Sequence, residues 1–110
     1  MLKNRERPFE NILAANMMLS EYKKILKSYG LTISIFLVGT ALLQKNYEPS
    51  KIVKSANVSS AVVSQSIKYL FEKELATQFF HNKDRRAHYY KLTDQGEQLI
   101  SEVTLQLEEI

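Results

Sequence analysis

The apolar positions of this chain change period several times, and each change marks an element. From Pro8 to Tyr29, Phe9, Ile12, Leu13, Met17, Leu19, Tyr22, Ile25 and Leu26 recur mostly three or four residues apart. That spacing predicts one long helix, with Gly30 where a left-handed C-terminal cap is wanted. Its apolar band, which includes Met17 and Met18, is wider than a single core contact needs. Thr32 is placed to cap a second helix running to about Lys45 with almost no polar face, and a helix apolar all round belongs at the centre of a fold. Tyr47 and Glu48 read as a short extended link. Pro49 opens a third helix, PSKIVKSA, at a first-turn position that proline tolerates.

Asn57 and Val58 make a turn, and Ser59 caps a fourth helix through about Phe71. Two short helices joined this way have helix-turn-helix spacing. In the fourth helix Val63, Ile67 and Leu70 form the inward stripe, leaving Ser60, Ala61, Ser64, Gln65 and Lys68 outward. Alternation over 77–81 and 87–92 predicts two antiparallel strands. Thr93 caps a last helix carrying Leu99, Val103 and Leu107 on one side. The sum is a mostly α domain with one small β-hairpin, without internal repeat or linker.

Composition narrows what such a domain does. A chain of 110 residues that is 45% hydrophobic, with five Phe and six Tyr, supports one packed core. Cysteine is absent, which excludes disulfides, thiolate metal sites and thiol-based redox sensing within the chain. The longest apolar stretch, from Ile33 to Leu43, has the length of a buried helix rather than of a membrane span. No secretory signal is visible at the start, so a cytoplasmic location without membrane association is expected.

The net charge of +3 is unevenly spread. Every Lys and Arg lies before residue 93, whereas the segment from Thr93 carries Asp94, Glu97, Glu102, Glu108 and Glu109 with no cation. Within the basic body, Lys83, Arg85 and Arg86 cluster at the hairpin tip around Asp84. An outward helix face of Ser59, Ser60, Ala61 and Ser64, with Gln65 and Lys68 beside them, lets a backbone approach base edges and phosphates. Small residues are also ordinary on a solvated helix, and a charged tip is also an ordinary turn. Together they favour a nucleic-acid reader, since Arg at the tip suits the negative potential of a narrow minor groove.

His81 and His88 flank the tip with no carboxylate or thiolate beside them, and read as surface histidines rather than metal ligands. No glycine-rich phosphate loop, nucleophile–base pair or paired-carboxylate cleft can be assembled, which argues against an enzyme, and no cofactor is called for.

The run Asp84-Arg85-Arg86 followed by Leu92-Thr93 and Gly96 resembles the wing-to-helix signature of the MarR family of winged-helix transcriptional regulators. VSSAVVSQSIKYLFEKEL is similar to that family's recognition helix and the turn after it, and PSKIVKSANVS to the helix before. The resemblance covers roughly residues 31–100. It implies a winged helix-turn-helix fold and a two-fold dimer on a palindromic double-stranded DNA site. It also implies that Asp84 orients Arg86 towards the minor groove while the outward face of the fourth helix lies in the major groove. Two positions depart from the pattern. Glu74 stands where the family has a glycine, so the helix-to-strand turn is expected to be built differently. The chain also stops at Ile110, short of the usual C-terminal helices.

These readings converge on a single domain over residues 1–110. The terminal helices, 8–29 and 93–110, are expected to form a homodimer interface through Phe9, Ile12, Leu13, Met17, Leu19, Leu99, Val103 and Leu107, which together offer more apolar surface than one small core buries. The expected function is sequence-specific, double-stranded DNA binding that regulates transcription, as a repressor. The alternatives are a plasmid or phage replication or partition factor, and a winged helix that serves protein interaction instead. A small-molecule effector is compatible with all of these and indicated by none of the residues.

Overall fold

The computed structural model describes residues 7–79 and 89–110. Those residues form five helices and one hairpin: α1 (Pro8–Ser28), α2 (Ile33–Leu43), α3 (Pro49–Ala56), α4 (Ser60–Glu72), β1 (Ala76–Phe79), β2 (Tyr89–Leu92) and α5 (Asp94–Glu108). The strands are antiparallel, with Ala76 opposite Leu92 and Phe79 opposite Tyr89. The strands expected over 77–81 and 87–92 match where they fall on described residues; β1 begins one residue earlier, with Ala76 paired opposite Leu92.

The expected caps are in place. Thr32, Ser59 and Thr93 each turn a side-chain oxygen to an orphan backbone N–H of the following helix, on Ile35, Val62 and Gly96 respectively. Pro49 occupies the first turn of α3. The helix ends carry a device the sequence disclosed only in part. Gly30, Lys45 and Glu74 all have left-handed backbones, at φ 74, 69 and 60. Beyond each of them, the next residue's N–H reaches back five positions, Leu31 to Leu26, Asn46 to Ala41 and Leu75 to Leu70. Asn57, at φ 54, ends α3 in the same conformation. The expectation that Glu74 would build its turn differently is therefore corrected. The geometry is one a glycine would adopt, with a glutamate in it.

That conformation costs a non-glycine residue roughly 1 kcal/mol. Leu31 and Leu75 bury their side chains against the cores, each contributing about 1.5–3 kcal/mol by leaving water. Burial outweighs the local strain. At Lys45 the same turn also stops α2 two residues short of its expected end, with Gln44 as the cap.

The main core gathers Val38, Ala41 and Leu42 of α2, Ile52 and Ala56 of α3, Val63, Ile67 and Leu70 of α4, Leu75, Ala76, Leu92 and Ile100. A smaller core holds Leu26, Leu31 and Val103. Two expectations change here. The second helix is central only through its C-terminal half; Ile33 and Phe36 are half-buried and Leu37 is exposed, so they line a cavity of about 390 Å³ with α1 and α5. Val103, expected at a dimer surface, has no exposure at all and belongs to the protomer's interior. Among the described residues no single helix is long and apolar enough to cross a membrane.

Strand, turn and last helix lock together at one point. The Leu75 carbonyl accepts the Thr93 N–H at 3.0 Å, and the Thr93 hydroxyl donates to the Glu74 carbonyl at 2.9 Å. Gly96 lies so close that a Cβ there would overlap the Leu75 carbonyl. Backbone cannot yield as a flexible side chain can, so Gly96→Ala should cost about 2–4 kcal/mol. Thermal unfolding checks this: the melting temperature should fall by at least ~8 °C. An unchanged value would mean that α5 is not seated on Leu75.

Candidate nucleic-acid interface

α4 is gripped from one side and free on the other. Val63, Ser66, Ile67 and Leu70 are buried, whereas Ser60, Ala61, Ser64, Gln65 and Lys68 are all exposed. Ser59 is exposed too, and its hydroxyl accepts the Val62 N–H at 3.2 Å, so it holds the helix start. All six residues read from the sequence thus share the start or the open face of one helix. Small side chains there leave the helix slim enough to enter a major groove about 12 Å wide, with Gln65 and Lys68 as its longer polar reach. The other four expected residues, Lys83, Asp84, Arg85 and Arg86, lie outside the described residues, as do His81 and His88.

The structure adds Phe71, which sequence reading treated only as a helix end. It is half exposed and continues the row of Ser64 and Lys68 at helical spacing. With Pro49, Gln78 and Tyr90 these residues line an open cavity of about 290 Å³ between α4 and the hairpin. The signal was available in the spacing, since residues 64, 68 and 71 stack on one helix face.

The base of the hairpin is fixed independently of its tip. On the sheet face away from α4, the Tyr47 and Phe79 rings meet edge to face at 5.3 Å, and Phe79 and Tyr89 sit 5.8 Å apart. Such pairs add about 0.5–1.5 kcal/mol beyond area burial. The Lys91 ammonium lies 5.4 Å from the Phe79 ring centre. The Tyr47 carbonyl accepts the Tyr90 N–H at 3.2 Å, so the link before α3 is tied to β2. The hairpin is thereby anchored to the start of α3 as well as to α4. Among the described residues, no cluster of His, Asp or Glu could hold a metal ion.

The residues expected at the dimer surface divide. Phe9, Ile12, Leu13, Met17 and Leu19 are exposed, Phe9 at 71% and Ile12 at 69%. Met18 is exposed beside them. Leu99 and Leu107 are half-buried against the cores, and Val103 is wholly inside.

The sequence pattern of the winged helix-turn-helix family matches residues 33–109, well over half of the chain. No curated protein sequence matches it significantly. Solved structures do resemble the fold. A variant of S. aureus MepR superposes with a TM-score of 0.81 at 19% identity, over 93% of this chain and 77% of that one. NadR in complex with 4-hydroxyphenylacetate gives 0.78 at 19% identity, over 91% and 72%. A second MepR variant, bound to an oligodeoxyribonucleotide, gives 0.74 at 19% identity, over 93% and 76%. These neighbours are MarR-family regulators, and the helix order, hairpin and last helix described above are the fold they share. The chain belongs to the winged helix-turn-helix family, and its fold is similar to that of these neighbours.

Proposed function

We propose that the protein binds double-stranded DNA as a homodimer at a palindromic operator and represses transcription by occluding it. The observation that carries this reading is the open face of α4: five small or polar side chains, exposed together, on a helix whose opposite face is locked in the core. Fixed helices of this kind dock by their exposed face in the major groove, and dimers place two of them one helical turn apart. The exposed apolar residues of α1 support self-association, because a surface of that kind seeks a partner and a second copy is always at hand. The reading makes the protein a binder rather than a catalyst.

Selection of bound fragments from genomic DNA, with sedimentation of the free chain, tests this. The expected result is a dimer at micromolar concentration that enriches palindromic promoter sequences. Enrichment of an origin array would assign it to replication or partition instead, and no enrichment would leave only a protein-interaction role.

Within α4, Gln65 is the base reader and Lys68 a phosphate contact. Gln65→Ala should relax the preferred base at one position per half-site and reduce operator binding by about 1–3 kcal/mol. Lys68→Ala should weaken all sequences about equally, since phosphates carry no sequence information. Equal losses on operator and random DNA for both variants would remove Gln65 from that role.

Arg86 and Asp84, beyond the described residues, carry the second contact: Arg86 enters the minor groove and Asp84 orients it. Arg86→Ala should lower affinity and flatten its salt dependence by ~0.9 per lost phosphate contact, up to about twice that in a dimer. For Asp84→Ala, bare electrostatics calls for tighter binding and the orienting role for weaker binding. Operator affinity measured across several salt concentrations decides between them, and weaker binding is expected. Tighter binding at every salt would reduce the tip to a basic patch.

A further inference from the structure

α1 leaves the domain at an elbow. It meets α2 at 77°, turning at Gly30 in a left-handed conformation. The Gly30 carbonyl at that elbow accepts a hydrogen bond of 2.6 Å from the Tyr69 hydroxyl, from a position 39 residues further along the chain. That is at the short end for a hydroxyl donor. The Tyr69 ring packs against both cores, whereas the buried α4 residues Val63, Ile67 and Leu70 belong to the main core alone. Tyr69 is thus the residue through which α4 reaches the foot of α1.

We propose that Tyr69 is a positioning residue that sets the separation of the two α4 helices in the dimer, and with it the spacing of half-sites the protein accepts. The inference rests on the dimeric DNA-binding reading above. In that dimer α1 carries the subunit contact and α4 the DNA contact, so the distance between the two α4 helices depends on the angle at each elbow. α1 has 21 residues and is therefore about 30 Å long. A swing of about 6° at its foot moves its far end by about 3 Å, close to the ~3.4 Å rise of one base pair. A bond that holds the elbow therefore acts at the scale that distinguishes one spacing from the next. The ring packs wherever it is wedged, but only the hydroxyl ties α4 to the turning residue.

The test uses the full chain and its selected operator, remade with the half-sites one base pair closer and one further apart. Tyr69→Phe keeps the ring and removes only the donor. The preference for the native spacing over either altered one should fall about fivefold, the effect of one net hydrogen bond. Binding to random DNA and the dimer in sedimentation should stay as in the wild type. Val103→Ala, which loosens the smaller core without touching the bond, should lower the melting temperature at least as much yet keep the preference. An unchanged preference in Tyr69→Phe overturns the proposal. So does an equal loss on all DNA, or the same fall in Val103→Ala, either of which would mean general loosening. A wild-type chain that is monomeric, fails to bind or ignores spacing overturns the dimeric reading and this inference with it; that failure is told apart because it appears before any substitution.

Discussion

The backbone of Leu75 is the point on which the arrangement of α4, the hairpin and α5 depends. Its N–H closes the end of α4 on the Leu70 carbonyl, its side chain enters the main core, and its carbonyl accepts the Thr93 N–H and presses on Gly96. One residue therefore fixes where α4 stops, where β1 starts and where α5 begins. Thr93 completes the joint because its hydroxyl does two things at once, donating to the Glu74 carbonyl and accepting from the Gly96 N–H. Two backbone groups at the α4 terminus and one at the α5 terminus are satisfied without water. Together with the Tyr47 contacts to the hairpin, these bonds hold β1 and β2 in one orientation relative to α4.

The same logic recurs wherever the chain turns out of a helix. Gly30, Lys45, Asn57 and Glu74 all adopt the left-handed conformation, although only one is glycine and one asparagine. What the turns at Gly30, Asn57 and Glu74 share is not the turning residue but the apolar pair around it: Leu26 with Leu31, Val53 with Val58, and Leu70 with Leu75 are each five apart. Leu26 and Leu31 share the smaller core, Leu70 and Leu75 share the main one, and Val53 and Val58 both pack against it half-buried, as apolar pairs at this type of helix end do. A reading that looks for glycine at helix ends finds Gly30 and misses Glu74. A reading that looks for apolar residues five apart across a predicted helix end finds both. The signal lies in the spacing of the apolar residues and not in the identity of the turning residue.

Other features divide along a similar line between local and long-range causes. Helix starts were legible because Thr32, Ser59 and Thr93 act within three residues of themselves. The inward and outward faces of α4 were legible because Val63, Ile67 and Leu70 repeat at the helical period. Two assignments failed because period cannot say which neighbour covers an apolar residue. Val103 and Leu107 lie one turn apart on α5, yet Val103 sits inside with Leu26 and Leu31 while Leu107 is only half covered. The second helix looked central throughout, but nothing within the described chain closes over Leu37. The Tyr69–Gly30 bond was out of reach for the same reason, since it joins residues 39 apart that have no pattern in common.

The part of the chain that the protomer explains least is the outer portion of α1. From Pro8 to Glu21 every residue is exposed, and of the whole helix only Leu26 is buried. A helical stretch of about that length is marginal in water on propensity alone, and proteins ordinarily stabilise one by burying an apolar face. Phe9, Ile12, Leu13, Met17 and Leu19 supply such a face, but among the described residues nothing covers it. The winged domain, by contrast, closes its own core without them. Stability of the winged half is therefore local, whereas the outer α1 has no apolar cover among the described residues. The elbow at Gly30 is where the part that closes its own core meets the part that does not, and the Tyr69 hydroxyl ties α4 to that point.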